Sequence, residues 1–272
     1  MTSKNWLTAC TTVLIFSSCS KDEISVPTVK VVRDWSIPLS AKNENPALGL
    51  RSETGTATLQ LLSDNSLQYT INVTGLAAGD ALMAAHIHTG NVVSNGGVIL
   101  GLNPTFTGGV ASGTIKDIRS TLVDSLKSDL NELYFNVHST QVASGLVRGQ
   151  LNTGLEMVSD VALNSANEVP AGTSAARGIA LLRLTTNKQL YYRITVTGLE
   201  AADALTAAHI HRGATGANGG IVLGLYSGAA EFGTVKVISV NDAQIASLKA
   251  DALYVNVHST SRPSGVIRGQ IR

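Results

Sequence analysis

Cysteine is nearly absent. The 272 residues hold two, Cys10 and Cys19, both close to the N-terminus. Whatever folds beyond them does without a disulfide and is held by its cores alone. Charge is sparse too, with 14% charged residues and a formal net charge of +1. That excludes a basic field for nucleic acid and a polybasic run for anionic lipid. Past the first segment, no apolar run is long enough to span a bilayer. Reaction motifs are also missing: there is no Gly-x-Ser-x-Gly, no phosphate loop and no His-Glu-x-x-His. What the chain does have is 44% hydrophobic residues and 26 glycines, with abundant Val, Thr and Ser. That composition supports packed cores built from strands and tight turns rather than a disordered chain.

The N-terminus reads as a processing signal. Lys4 precedes an apolar run at 6–16 (WLTACTTVLIF), of signal-peptide length and too short to span a membrane. Ser17-Ser18-Cys19 resembles a lipobox, with Phe16 where Leu is usual, and polar residues follow at 20–23. This context is similar to that of Bacteroidetes lipoproteins. The expectation is a signal peptide over 1–18, a lipid on Cys19 and a tether over 19–28. The membrane is then a partner through that lipid. The protein would be exported to the bacterial cell envelope, on the periplasmic or surface face of the outer membrane. The competing reading is an ordinary secretory leader with an incidental cysteine.

An internal repeat organises the remainder. Residues 39–46 (LSAKNENP) match 163–170 (LNSANEVP), and 69–76 (YTINVTGL) match 192–199 (YRITVTGL). The blocks AAHIH at 84–88 and 207–211, and NGG at 95–97 and 218–220, follow in the same order. So do YFNVHST at 134–140 with YVNVHST at 254–260, and GLVRGQ at 145–150 with GVIRGQ at 265–270. Six collinear blocks define a domain duplication, joined near 152–156. The expected domains are 29–152 and 153–272.

Within each copy, short runs alternate apolar and polar residues, as in 56–61 and 67–73. Asp64-Asn65 and Thr186-Asn187 sit where hairpin turns belong. Short apolar strands are expected at 98–102 and 221–225. One helix per copy is expected. The first is capped by Ser120 and carries Leu122, Val123, Leu126 and Leu130. The second opens at Asn241 and carries Ile245, Leu248 and Leu253. The fold class is mainly all-β: two tandem antiparallel Greek-key or immunoglobulin-like sandwiches, or partly open barrels.

All six histidines fall at matching positions: His86, His88 and His138, then His209, His211 and His258. In an extended His-x-His, both imidazoles point to one face, with Cα atoms about 7 Å apart. If the strand of His138 lies alongside, three imidazoles converge, a donor set suited to copper or zinc with an open fourth position. Copper–zinc superoxide dismutase places His-x-His on a β-scaffold by the same logic, but here each copy lacks a fourth histidine and an evident bridging ligand. The structural reading, ranked ahead on sequence alone, has these histidines anchoring the Gly-rich stretches 89–97 and 212–220.

Arg148 and Gln150 share one face of a final strand, as do Arg268 and Gln270. Glu44 and Glu168 precede Pro-containing turns, so a half-buried Arg–Glu pair completed by Gln is expected in each copy. The alternative is an anion site on Arg148 and Arg268. Met83 stands against Thr206 and carries no shared chemistry. Asp124 and Asp129 look like the solvated side of the first helix.

The five blocks Leu-x-x-x-Asn-Glu-x-Pro, Ala-Ala-His-Ile-His, Asn-Gly-Gly, Tyr-x-Asn-Val-His-Ser and Gly-x-x-Arg-Gly-Gln resemble the CHRD domain, first described as repeats in chordin. The resemblance covers nearly all of the chain after the tether, twice. It implies a β-rich, often exported domain. Chordin's growth-factor antagonism is usually assigned to cysteine-rich modules, which this chain lacks. One departure stands out: 91–94 has no counterpart of Gly216. The expected function is a non-enzymatic binding or structural module of the envelope, with a protein or glycan partner. The alternative is a copper- or zinc-binding protein with one three-His site per domain. The third reading, a metal-dependent redox or hydrolytic enzyme, would need an open polar cleft above the triad.

Overall fold

A computed structural model describes residues 28–272. The signal segment, Cys19 and nearly all of the tether lie outside the described residues. None of the described helices is long and apolar enough to cross a membrane.

Each copy is one antiparallel sheet of eight strands, curled into a half-barrel. In domain 1 the strands are β1 (Val31–Ser40), β2 (Thr54–Leu62), β3 (Leu67–Thr74), β4 (Leu82–Thr89), β5 (Val98–Gly101), β6 (Val110–Ile115), β7 (Leu133–Ser139) and β8 (Val147–Gln150). The short helix α1 (Ser120–Lys127) precedes β7. Domain 2 repeats this with β9 (Leu155–Asn164), β10 (Arg177–Thr185), β11 (Gln189–Thr197), β12 (Leu205–Arg212), β13 (Ile221–Tyr226), β14 (Lys236–Ser239), α2 (Asp242–Ala250), β15 (Leu253–Ser259) and β16 (Ile267–Gln270). The spatial order is β5-β4-β7-β8-β1-β2-β3-β6, and the second sheet follows the same order. Of the forms expected, this is the partly open barrel.

Period-two patterning decides which face is the core. In β3, Leu67, Tyr69, Ile71 and Val73 are buried and the residues between them are exposed. The turn before β3 has Asn65 at φ 61°, a left-handed position that asparagine tolerates. Strand β7 departs from the pattern, because every residue is buried. Leu133, Phe135 and Val137 enter the core, and Tyr134, Asn136 and His138 face the other way under loops.

Two helix expectations need correction. Arg119, not Ser120, precedes α1, with no side-chain cap, and the helix stops at Lys127. Leu130 therefore lies beyond it and is exposed. In the second copy, Asn241 does cap α2, in a reciprocal capping box with Gln244, but Leu253 already begins β15.

The two domains pack asymmetrically. Val92 and Val93 of domain 1 are buried against Leu181 on the outer face of β10, with Ile179 and Tyr191 alongside. Arg183, fully buried, forms an ion pair with Asp160 and donates to the Glu44 carbonyl across the interface, at 3.1 Å. Asp160 also accepts from the Ala47 amide at 2.7 Å. On β2, the positions matching Leu181 and Arg183 are Thr58 and Gln60, and Val92 and Val93 match Thr215 and Gly216. Both halves of the contact are thus specific to one copy. The missing Gly216 counterpart reflects this: Val93 fills the interface.

Candidate metal centre

Antiparallel pairing of β4 with β7 builds the site. Ala84 stands opposite His138, His86 opposite Asn136, and His88 opposite Tyr134. Each of these pairs projects outward, away from the core, so the three imidazoles meet on one face. β12 and β15 repeat the register with Ala207–His258, His209–Asn256 and His211–Tyr254.

Hydrogen bonds set the ring orientations. His88 Nδ1 donates to the Gly96 carbonyl at 3.1 Å, and His138 Nδ1 to the Ala143 carbonyl at 3.0 Å. A ring nitrogen facing a carbonyl must carry the proton, so Nε2 of both rings presents a lone pair. His86 Nδ1 lies 2.9 Å from His138 Nε2, and His88 Nε2 is buried with no partner. Domain 2 reproduces this: His209 Nδ1 is 3.0 Å from His258 Nε2, His211 Nδ1 and His258 Nδ1 bond carbonyls, and His211 Nε2 is buried and unpartnered. The inward atoms of each triad lie within 4.8 Å of one another. Ligand nitrogens about 2.0–2.1 Å from one tetrahedral metal sit about 3.4 Å apart, so closure draws the widest-spaced pair together by up to about 1.4 Å.

Burial holds His86, His88 and His138 below the usual imidazole range, and the adjoining imidazoles add to this for His86. His209 and His258 are lowered for the same first reason. Neutral imidazole is the form that ligates.

Behind the triad stands a stack that sequence reasoning missed. His88 lies flat on Tyr134, with ring centroids 4.8 Å apart and planes 9° apart. The Arg148 guanidinium covers the opposite face of Tyr134, 3.5 Å from its centroid. Tyr254 is held the same way between His211 and Arg268. The signal was present: each tyrosine lies inside a matched block, on the strand of His138 or His258 and directly across from the histidine it stacks on.

The expected Arg–Glu pair needs correction. Among the described residues, no salt bridge joins Glu44 to Arg148 or Glu168 to Arg268. Arg148 spends its donors on the Asn91 and Ser94 carbonyls, Asn95 Oδ1 and Gln150 Oε1. Arg268 binds Asn218 Oδ1 and the Ala214 and Ala217 carbonyls, and Gln270 donates to the Gly213 carbonyl. The guanidinium is therefore a loop clasp, bonded to acceptors other than the glutamate. Each glutamate is engaged instead by an asparagine: Asn136 Nδ2 reaches Glu44 Oε2 at 3.4 Å, and Asn256 Nδ2 reaches Glu168 Oε2 at 3.1 Å. Gly145 and Gly265 permit this approach, since a Cβ at either would lie under 3.0 Å from that asparagine. Asn95 ties the loop to the Glu44–Ala47 strap by donating to the Asn45 carbonyl at 2.8 Å, as Asn218 does to Val169.

Five of the six repeated blocks thus converge on one outward face in each domain. A duplicated half-barrel with this face defines the class. The model of the CHRD domain matches residues 35–151 and 160–271, and the chain belongs to that family, with two copies in tandem. Chordin from Danio rerio is 28% identical over 233 residues, covering 80% of this chain and 24% of that protein. The chain therefore spans about a quarter of the length of the curated relative it matches. No solved structure matches it.

Proposed function

We propose that this is an envelope protein whose two CHRD domains are non-enzymatic binding modules, each holding one copper or zinc ion in its histidine triad. One observation carries the reading. In both triads, backbone carbonyls fix the tautomer of two rings, and the third inward nitrogen, His88 or His211 Nε2, is buried without a partner. A histidine serving only as a loop anchor would need the first bond and not leave the second nitrogen empty. The test is metal content after dialysis against dilute Cu²⁺ and Zn²⁺. About two ions per chain are expected, and none in a His138→Ala, His258→Ala double variant. A chain that retains no metal, with a double variant merely less stable, would return the histidines to a structural role.

The Ser17-Ser18-Cys19 sequence supports a lipid tether to the envelope membrane. Fractionation checks it: Cys19→Ser is expected to move the protein from the membrane to the soluble fraction. A variant that stays with the membrane would contradict the tether.

A further inference from the structure

Among the described residues of domain 1, five buried side-chain polar atoms have no hydrogen-bond partner. They are Glu44 Oε1, Asn45 Oδ1 and Nδ2, Asn136 Oδ1 and His88 Nε2. All four residues line one cleft of about 410 Å³. Each is more than nine-tenths buried, with exposures of 6% for Glu44 and Asn45, 3% for Asn136 and 8% for His88. Buried polar groups are ordinarily satisfied, so orphans gathered around one opening mark a place where a polar occupant belongs. The metal proposed above would take His88 Nε2. The other four atoms would remain.

The chemistry of the orphans narrows the occupant. Three are oxygens that accept, and one is an amide nitrogen that donates. An added cation would meet the Arg148 charge that faces Glu44, and an anion would meet the carboxylate and two amide oxygens. Hydroxyl groups satisfy both kinds of atom without adding charge. The volume falls in the range of small-molecule sites and admits a hexose. We propose that this cleft binds a neutral polyhydroxylated ligand, a monosaccharide or the terminal sugar of a glycan, seated on Glu44, Asn45 and Asn136.

Domain 2 contributes the frame and not a second site. Its Asp160 and Arg183 hold the Glu44–Ala47 strap from behind, at the Ala47 amide and the Glu44 carbonyl. Domain 2 keeps the unpartnered Glu168 Oε1, Asn256 Oδ1 and His211 Nε2, but Val169 replaces Asn45 in its strap, so the one donor is gone and only acceptors remain. One site per chain follows.

The experiment uses the chain carrying both domains, stripped of metal with EDTA, so that it stands apart from the metal reading. Glucose, mannose and N-acetylglucosamine are offered at up to tens of millimolar and followed by saturation-transfer NMR and calorimetric titration. At least one sugar is expected to bind at one per chain. Asn45→Val, which copies the residue of domain 2, should weaken it about tenfold or more, as should the isosteric Glu44→Gln. Should Asn45→Val fail to fold, Glu44→Gln carries the comparison. Absence of binding by all three sugars, or binding that the folded variants leave unchanged, overturns the proposal.

Discussion

Glu44 shows what a single buried carboxyl does when its cation is occupied elsewhere. Burial pushes its pKa up to about 7, and Arg148 and Asn136 pull back only in part. Glu168 is pushed up to about 7 for the same reason, with Asn256 and Arg268 opposing. An acid whose folded pKa is raised binds more protons folded than unfolded. Its stabilisation is complete below the unfolded value of about 4.3 and is lost as pH rises through 7. At about 1.4 kcal/mol per pH unit, the Glu44 shift corresponds to on the order of 3 kcal/mol, and that of the more exposed Glu168 to less. Replacing both by Gln removes this dependence. In metal-free protein, the melting temperature of Glu44→Gln, Glu168→Gln relative to wild type is therefore expected to improve from pH 5 to pH 8. A difference independent of pH would show that the two carboxyls are ionised in the fold at both values.

At the scale of elements, the legible parts are those that local chemistry dictates. The β2–β3 and β10–β11 hairpins follow from alternation and their turn residues, and α2 from its Asn241 capping box. The helix α1 is legible at Leu122, Val123 and Leu126, but reads too long because Leu130 continues the apolar spacing where the chain has already turned toward β7. Strands β1 and β9 escaped notice although both enter the core, through Ile37 and Leu39 and through Val161 and Leu163. Pro38 interrupts the first and its outward positions are mixed, so the run has no clean period. The site was half legible. Matching blocks located the histidines, but whether they meet depends on β4 lying beside β7, a pairing across about fifty residues that no local signal carries. Reading Arg148 as a partner of Glu44 failed for a similar reason, since its true acceptors are loop carbonyls without side-chain identity.

At the scale of the molecule, the interface leads to the expectation that the two domains unfold together. Arg183 has no exposed side chain, and its removal strands Asp160 and the Glu44 carbonyl. Breaking a buried pair of this kind costs on the order of 3 kcal/mol. Substituting the residues that domain 1 carries at the same positions, Leu181→Thr with Arg183→Gln, is expected to split a single calorimetric transition into two. The transition of domain 1 should then move to lower temperature. One transition at an unchanged temperature would mean that the domains are not coupled through this face.

The direction of that contact has a further meaning. A front surface resting on the back of the next unit is an open, heterologous association, and identical units joined that way have no reason to stop. Here the leading back face bears Thr58 and Gln60, and the trailing front bears Thr215 and Gly216, polar or minimal where the joint is apolar. The two outward faces of this pair thus lack the apolar and charged residues through which a further copy would extend the same contact.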